Sequence, residues 1–491
     1  MDTARQLSLP LLLLLGCSMP AFSAQERATH PAPEWGGFRG ANGSGTAVGA
    51  QLPEALDAEA QLVWKASLPS GYSSPIIAGE RVFVTGRDGK QLLTVCIDAG
   101  TGEERWRAAV EFEGERPGGN SYAAPTPATD GERVYALFHH VGMVAYDLEG
   151  KELWRNSLGA PYNIPHGLAT SPLVVDGAVV MQLDQDGGSA LVCLAADTGV
   201  ERWRTVREGA LHSYATPAVF TPQGGKPQVV VSGSYQIAGY DLETGARIWW
   251  VTGSAWQSKA VPLFYEDLCI VSSFMPSSTE FGVPNLGQSF AEVLAEKDAN
   301  GDGALQRDEW KHDTMQQTWF IWDLDGDEVL NAREYEYLQS TQTAKGGLFA
   351  IDLDVEGKPL VGDVTETHVA WQYDGRRGLS DVVSPVLVDG TVFLLKDGGL
   401  LTALDARTGA LGKQGRVGEP DSYYASPIAA GGRVFAASLS GQLTLVSGCA
   451  EWEPLSSTAV DGKVWSTPAL ANGRVYVRSE TQLYCFGAKD A

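Results

Sequence analysis

Cysteine and histidine are scarce in this chain, six and seven residues of 491. The cysteines include no CxxC and no adjacent pair; Cys17 lies near the N-terminus, and an odd five remain at wide spacing. That excludes a disulfide framework and leaves stability to the packed core. Basic residues are also few: 36 Lys and Arg against 60 Asp and Glu, a formal charge of −24. A phosphate backbone needs clustered cationic side chains, so a nucleic-acid partner is excluded and cations or basic surfaces are the expected company. Downstream of the N-terminus no apolar run is long enough to cross a bilayer, and no Ser, His and Asp pattern or phosphate-cradling glycine loop stands out.

Residues 1–24 read as an export signal: Arg5, then LSLPLLLLLG, an apolar core too short for a permanent span. Two processing sites fit. Leu14-Leu15-Gly16-Cys17 resembles a bacterial lipobox that would leave Cys17 lipidated, and Ala21-Phe22-Ser23 resembles an ordinary small-residue cleavage site. The expectation is an exported protein in the periplasm, on the outer membrane as a lipoprotein, or outside the cell, with no transmembrane span and at most one lipid anchor.

What the chain has in abundance is a repeat. A proline, mostly preceded by Ser or Thr, opens a short apolar run, a Gly and a β-rich run, at Pro75, Pro127, Pro172, Pro217, Pro262, Pro385, Pro427 and Pro468. The steps are 52, 45, 45, 45, 123, 42 and 41 residues, so the fifth carries an insertion of about 78. Each unit also ends in a turn such as IDAGTGEERW (97–106), LAADTGVERW (194–203) or YDLETGARIW (240–249), with YDLEGKELW (146–154) and LDARTGAL (404–411) as variants. Asp98, Asp147, Asp241 and Asp405 can accept turn amides, the Gly supplies positive φ, and the following Trp can wedge between neighbouring sheets. Four strands per unit, eight times, predict an all-β, eight-bladed β-propeller with a small α-helical insertion in the fifth blade. The last repeat holds three strands, and QLVWKASL at 61–68 is expected to complete the eighth blade.

The division that follows is a signal at 1–24, an N-terminal extension at 25–60, blades 1–5 from 61 to 271, the insertion at 272–346, and the remaining blades at 347–487. Cys96, Cys193 and Cys485 fall at equivalent strand positions and read as small core filling.

The TGxxxW turns, the eight proline starts and PEWGGFRGANGSG (33–45) resemble the pyrroloquinoline-quinone-like repeat propellers over residues 33–487 apart from the insertion. Such propellers include quinone-dependent alcohol dehydrogenases and the scaffold lipoprotein of outer-membrane protein assembly, so the resemblance implies fold rather than function. Dehydrogenases of that kind are expected to carry a cationic contact, an aromatic floor, a mouth calcium held by acidic and amide groups, a carboxylate base and a disulfide between adjacent cysteines. This chain has no adjacent cysteine pair. Residues just before each proline should line one rim of the channel: Tyr72, Tyr122, His166, His212, Tyr214, Trp256, Lys259, Asp381, Tyr423 and Trp465. Lys259 and Asp381 could serve as cation and base, yet the acidic-plus-Asn cluster is not evident among them. The same ring could take a protein partner, a peptide or a carbohydrate, or simply plug the channel.

The sharpest motif lies in the insertion. DANGDGALQRDE places Asp298, Asn300, Asp302, the Ala304 carbonyl, Gln306 and Glu309 at the ligand positions of a 12-residue EF-hand loop, with Gly303 at the sharp turn. DLDGDEVLNARE follows with Asp323, Asp325, Asp327, the Val329 carbonyl, Asn331 and Glu334, but Glu328 stands where glycine is usual, so weaker binding is expected. One helix is expected to serve both loops, with Met315, Trp319 and Trp322 on one face. Residues 287–340 hold 13 acidic and 4 basic side chains, a net −9 that cations would relieve. The reading is an exported calcium-binding propeller acting as a non-catalytic binding or scaffold module, its calcium structural. A quinone-dependent oxidoreductase and a calcium-responsive surface adhesion module are the alternatives.

Overall fold

Each proline-marked start becomes the innermost strand of an antiparallel sheet, and eight such sheets make a β-propeller. The structure, a computed structural model, describes residues 34–488 except 48, 116–118, 161, 163, 165, 325 and 345. The export signal, Cys17 and Asp325 therefore lie outside the described residues. Blades 1–8 span 76–111, 128–156, 173–206, 218–252, 263–373, 386–416, 428–459 and 469–486. The outermost strand of blade 8 is Leu62–Ser67, antiparallel to Gln482–Phe486, which joins the two ends of the ring. Blade 4 gains a fifth strand, Gly362–Asp363, parallel to Arg247–Thr252 and supplied by a loop of blade 5.

The middle strands are mostly apolar and buried because both faces of each sheet are covered by neighbouring blades. All six residues of Ala178–Leu183 are buried, while Glu201–Val206 at the outer edge exposes alternate residues. Cys96, Cys193 and Cys485 are fully buried among these strands, and burial pushes their thiol pKa values up.

At six of the eight prolines the preceding Ser or Thr has a structural reason. Its hydroxyl accepts the corresponding backbone N–H of the preceding blade: Ser74 N donates to Thr126 Oγ1 (2.9 Å), Thr126 N to Ser171 Oγ (3.1 Å), and Ser171 N to Thr216 Oγ1 (3.0 Å). Val261 N donates to Ser384 Oγ (3.1 Å), Ser384 N to Ser426 Oγ (3.0 Å) and Ser426 N to Thr467 Oγ1 (3.0 Å). Blade 5 offers no such acceptor because Val261 has no hydroxyl.

The outer turns hold the blades together from the other side. Indole N–H groups cross to the next blade, Trp64 to Ala99 O (3.0 Å), Trp106 to Leu148 O (2.8 Å), Trp154 to Ala196 O (3.0 Å), Trp203 to Leu242 O (3.0 Å) and Trp371 to Ala406 O (3.2 Å). The indole faces lie against Gly102, Gly150, Gly199, Gly245 and Gly409, leaving no room for a Cβ. Blade 6 has no such Trp, and Trp452 of blade 7 fills the gap beside Gly415, donating to Lys413 O (3.3 Å).

The insertion leaves blade 5 after Leu268–Ser273 and returns at Gly347–Asp352. It contains α1 (Phe290–Lys297), α2 (Asp313–Gln317), α3 (Trp319–Trp322) and α4 (Ala332–Thr343). The single helix expected between the loops is two short ones. They break at Thr318 (φ −103°, ψ 10°), whose hydroxyl donates to Thr314 O (2.7 Å) and accepts from Trp322 Nε1 (2.9 Å), a side-chain bond that bends helices. Met315, Trp319 and Trp322 are all buried, packed with Leu305, Leu330, Tyr335 and Leu338.

Candidate functional site

Residues 34–46 cross the centre of the ring and tie together the inner strands of four blades. Trp35 bridges Ile77, Thr129 N donates to Gly36 O (2.7 Å), Asn42 exchanges two hydrogen bonds with Val219, and Ala429 N donates to Gly45 O (2.8 Å). Arg39 is fully buried in this segment. Its guanidinium donates to Gly43 O (3.0 Å), Ser44 O (3.3 Å), Pro385 O (2.5 Å), Pro427 O (3.1 Å) and Ser384 O (3.5 Å). Phe38 from the same segment lines a cleft of ≈ 290 Å³ at the channel mouth, so the cleft is backed by the chain's own N-terminal region.

Of the ten rim residues expected from the sequence, Tyr72, His166, Tyr214, Lys259 and Trp465 line this cleft, together with Tyr424. Tyr72 stacks on Trp465 at 4.7 Å between ring centroids and 17° between planes, and Tyr424 leans on the other side of Trp465 at 4.7 Å. The other five lie elsewhere. Tyr122 sits with Phe112 (5.1 Å) beneath the Arg87 guanidinium (4.1 Å). His212 is fully buried: Gln257 Nε2 donates to its Nε2 (2.5 Å), which leaves the ring proton on Nδ1 for Asp186 Oδ1 (2.6 Å). Trp256 is covered by the inserted lobe, 6.2 Å from Trp322 and 6.4 Å from Tyr337. Tyr423 is 3% exposed and its neighbour Tyr424 is 42% exposed, because consecutive residues of an extended segment face opposite ways. Asp381 lies one residue outside the lining and touches Lys259 only through long-range attraction.

Lys259 is the cleft's one lysine. Its side chain is half-buried, and its ammonium meets Met275 Sδ at 3.5 Å; among the described residues no carboxylate lies within 4 Å of it. Burial lowers its pKa to about 8 against the partial support of Asp381. Two more buried cations stand behind the cleft. Arg39 and Arg478 are held by carbonyl and hydroxyl oxygens rather than carboxylates, Arg478 by Ser73 O (2.9 Å), Ser73 Oγ (2.5 Å) and Pro69 O (3.2 Å), and burial lowers each to about 9. Sequence reasoning missed both arginines, and the signal for Arg39 was a single cation in a glycine-rich segment.

In the lobe the two acidic loops stand back to back, joined by an antiparallel pair in which Leu305 faces Leu330 and Gln306 faces Val329. Both turn through a left-handed residue at the sixth position, Gly303 (φ 84°) and Glu328 (φ 65°). Asp298 accepts from Gly301 N (2.6 Å) and Gly303 N (2.9 Å), Asn300 Oδ1 from Asp302 N (2.8 Å), Asp302 Oδ1 from Ala304 N (3.0 Å), and Glu309 from Ala299 N (2.8 Å) and Gln306 N (3.0 Å). The second loop repeats this: Asp323 accepts from Gly326 N (2.8 Å) and Glu328 N (2.9 Å), Asp327 from Val329 N (2.9 Å), and buried Glu334 from Leu324 N (2.7 Å) and Asn331 N (3.0 Å). Asn331 also caps α4 through Arg333 N (3.0 Å) and Glu334 N (3.2 Å). Among the described residues no three His, Cys, Asp or Glu side chains converge on one point, since the loop carboxylates are turned onto amides. The donors are hard oxygens throughout, the chemistry that suits calcium.

A protein-family model described as outer membrane protein assembly factor BamB matches residues 26–220, 142–273 and 325–491, and 274–324 fall outside all three stretches. No curated protein matches the chain. Among solved structures, BamB from Moraxella catarrhalis is 11% identical and superposes with a TM-score of 0.55 over 87% of this chain and 99% of its own. A europium-containing methanol dehydrogenase is 10% identical at 0.62, covering 94% and 99%. The quinohemoprotein alcohol dehydrogenase from Comamonas testosteroni is 12% identical at 0.55, covering 94% and 81%. At these identities the likeness speaks to fold alone. No helix among the described residues is long and apolar enough to cross a membrane.

Proposed function

The chain belongs to the outer membrane protein assembly factor BamB family, and from that premise we propose that it is an exported, non-catalytic binding propeller whose channel mouth holds a ligand or a short segment of a partner. One observation carries this reading: the mouth is a cleft backed by the chain's own residues, walled by the Tyr72, Trp465 and Tyr424 rings, and edged by an ammonium that has no carboxylate within 4 Å among the described residues. Rings present contact area at low entropic cost, and an ammonium in such a place selects its occupant by charge.

The inserted lobe is an EF-hand pair in this account. Calcium would be held by Asp298, Asn300, Asp302, Ala304, Gln306 and Glu309 in the first loop and by Asp323, Asp325, Asp327, Val329, Asn331 and Glu334 in the second. Its contribution is charge neutralisation in a segment of net −9, at the affinity of extracellular modules, roughly 10⁻⁴ to 10⁻³ M. The lobe matters to the mouth because Trp322, just before Asp323, packs on Trp256, three residues from Lys259.

A quinone-dependent oxidoreductase is the second reading: a lysine cation beside stacked aromatic rings at the channel mouth is the kind of contact such a cofactor needs. The test is dye-linked oxidation of primary alcohols by the mature protein supplied with pyrroloquinoline quinone and calcium. The binding reading expects no turnover above the protein-free control, and quinone-dependent dye reduction would overturn it.

A further inference from the structure

The chain carries a formal charge of −24, yet the side chains around its central channel include three desolvated cations with no carboxylate within 4 Å among the described residues. Two, Arg39 and Arg478, are held by backbone and hydroxyl oxygens, with Arg478 Nε left without a partner among the described residues. The third, Lys259, borders open space and has, among the described residues, only a thioether within hydrogen-bond reach. A desolvated ammonium is costly unless an anion completes it, and the positive potential of the two arginines behind the cleft acts in the same direction. Trp465 and Tyr214, on the cleft wall, bury an indole N–H and a phenol O–H that have no partner among the described residues. All three unmatched groups can donate. The walls are otherwise aromatic, and ≈ 290 Å³ is the low end of small-molecule sites, room for one ring and a short chain.

We propose that the channel mouth takes a carboxylate that carries a single aromatic ring, its negative charge on the Lys259 ammonium and its ring against the Tyr72–Trp465 stack. This deepens the reading of the mouth as a binding cleft and rests on it. The carboxylate can come from a small aryl acid or from a peptide that ends in an aromatic residue. The other titratable groups near the ammonium are Asp381, and His166 and Tyr214 on the cleft wall.

The test is calorimetric titration of the mature protein with 3-phenylpropionate and its amide, and with Ala-Ala-Phe bearing a free or an amidated C-terminus. At pH 7 each acid should bind about tenfold to a hundredfold more tightly than its amide, the range of a charge-assisted hydrogen bond, and the tighter acid identifies the source. Lys259→Met should abolish the preference. That variant removes a desolvated charge, so its melting temperature should equal or exceed that of the wild type. The wild type supplies an independent readout: near pH 8 the amine is half protonated, so acid binding should take up protons, seen as different heats in two buffers of unlike ionisation enthalpy. Acid and amide binding alike, a preference that survives Lys259→Met, or no proton uptake would each overturn the proposal. If no probe binds but a photoreactive residue at position 424 still captures an occupant, the carboxylate assignment falls and the binding reading stands. If that capture fails as well, both fall.

Discussion

Gly102→Ala isolates the contact that closes the ring. Gly102 has φ +78°, and a Cβ there would lie 2.7 Å from both Cδ2 and Cε3 of Trp64, on the strand that completes blade 8. Alanine at positive φ costs about 1 kcal/mol, and forcing a methyl into a packed aromatic face adds about 1–3 kcal/mol. Gly209 is the control, with φ +74° and nothing within 4 Å of a Cβ, so Gly209→Ala should cost only about 1 kcal/mol. Urea denaturation followed by far-ultraviolet circular dichroism reads both, and Gly102→Ala should lose roughly 2–4 kcal/mol. In a Trp64→Ala background the increment from Gly102→Ala should shrink to the backbone cost of about 1 kcal/mol, because the clash is gone. Equal losses for Gly102→Ala and Gly209→Ala, or an increment unchanged by Trp64→Ala, would refute an indole–glycine staple between the blades.

Chelator-stripped protein should gain two calcium sites by calorimetry, and 1 mM free calcium should stabilise it by about 1.4 kcal/mol for each site with a Kd of about 0.1 mM, read as a raised melting temperature. Glu309→Gln should remove the first site and Glu334→Gln the second, each leaving a one-site titration. Thr216→Val leaves Ser171 N without its acceptor and should cost about 1–3 kcal/mol, measured by denaturation. The Lys259 pKa falls from 10.5 to about 8 on folding, so its charge opposes folding by about 3 kcal/mol at most. Lys259→Met should therefore stabilise fully below pH 8, with the gain fading as pH rises toward 10.5, where the unfolded lysine also loses its proton.

The propeller was legible because its geometry is written locally. Each Ser/Thr–Pro start is an inner strand, the TGEERW and TGVERW turns each set an indole on the next blade's glycine while Trp249 of TGARIW turns back onto Gly239 and Gln228 of its own blade, and the 123-residue step holds the helical lobe. The cleft was legible only in part, because facing and burial there are settled by distant chain. Tyr423 and Tyr424 exchange places on the alternation of one extended segment. His212 is claimed by Asp186, 26 residues away, and Trp256 by a lobe whose docking no spacing announces. The segment 33–45 showed a family resemblance but not its place across the ring centre, which depends on partners as distant as Ala429.

The most direct measurement is photocross-linking in living cells that make the protein, with a benzoylphenylalanine in place of Tyr424 and, as control, in place of Leu411, which is 53% exposed on the outer edge of blade 6. Mass spectrometry of the peptide carrying the photoreactive residue reads what has been captured, small molecule or protein. The account predicts a discrete added mass at position 424 that disappears with Trp465→Ala and is absent at position 411. No adduct at 424, or the same products from both positions, would contradict a binding function at the channel mouth.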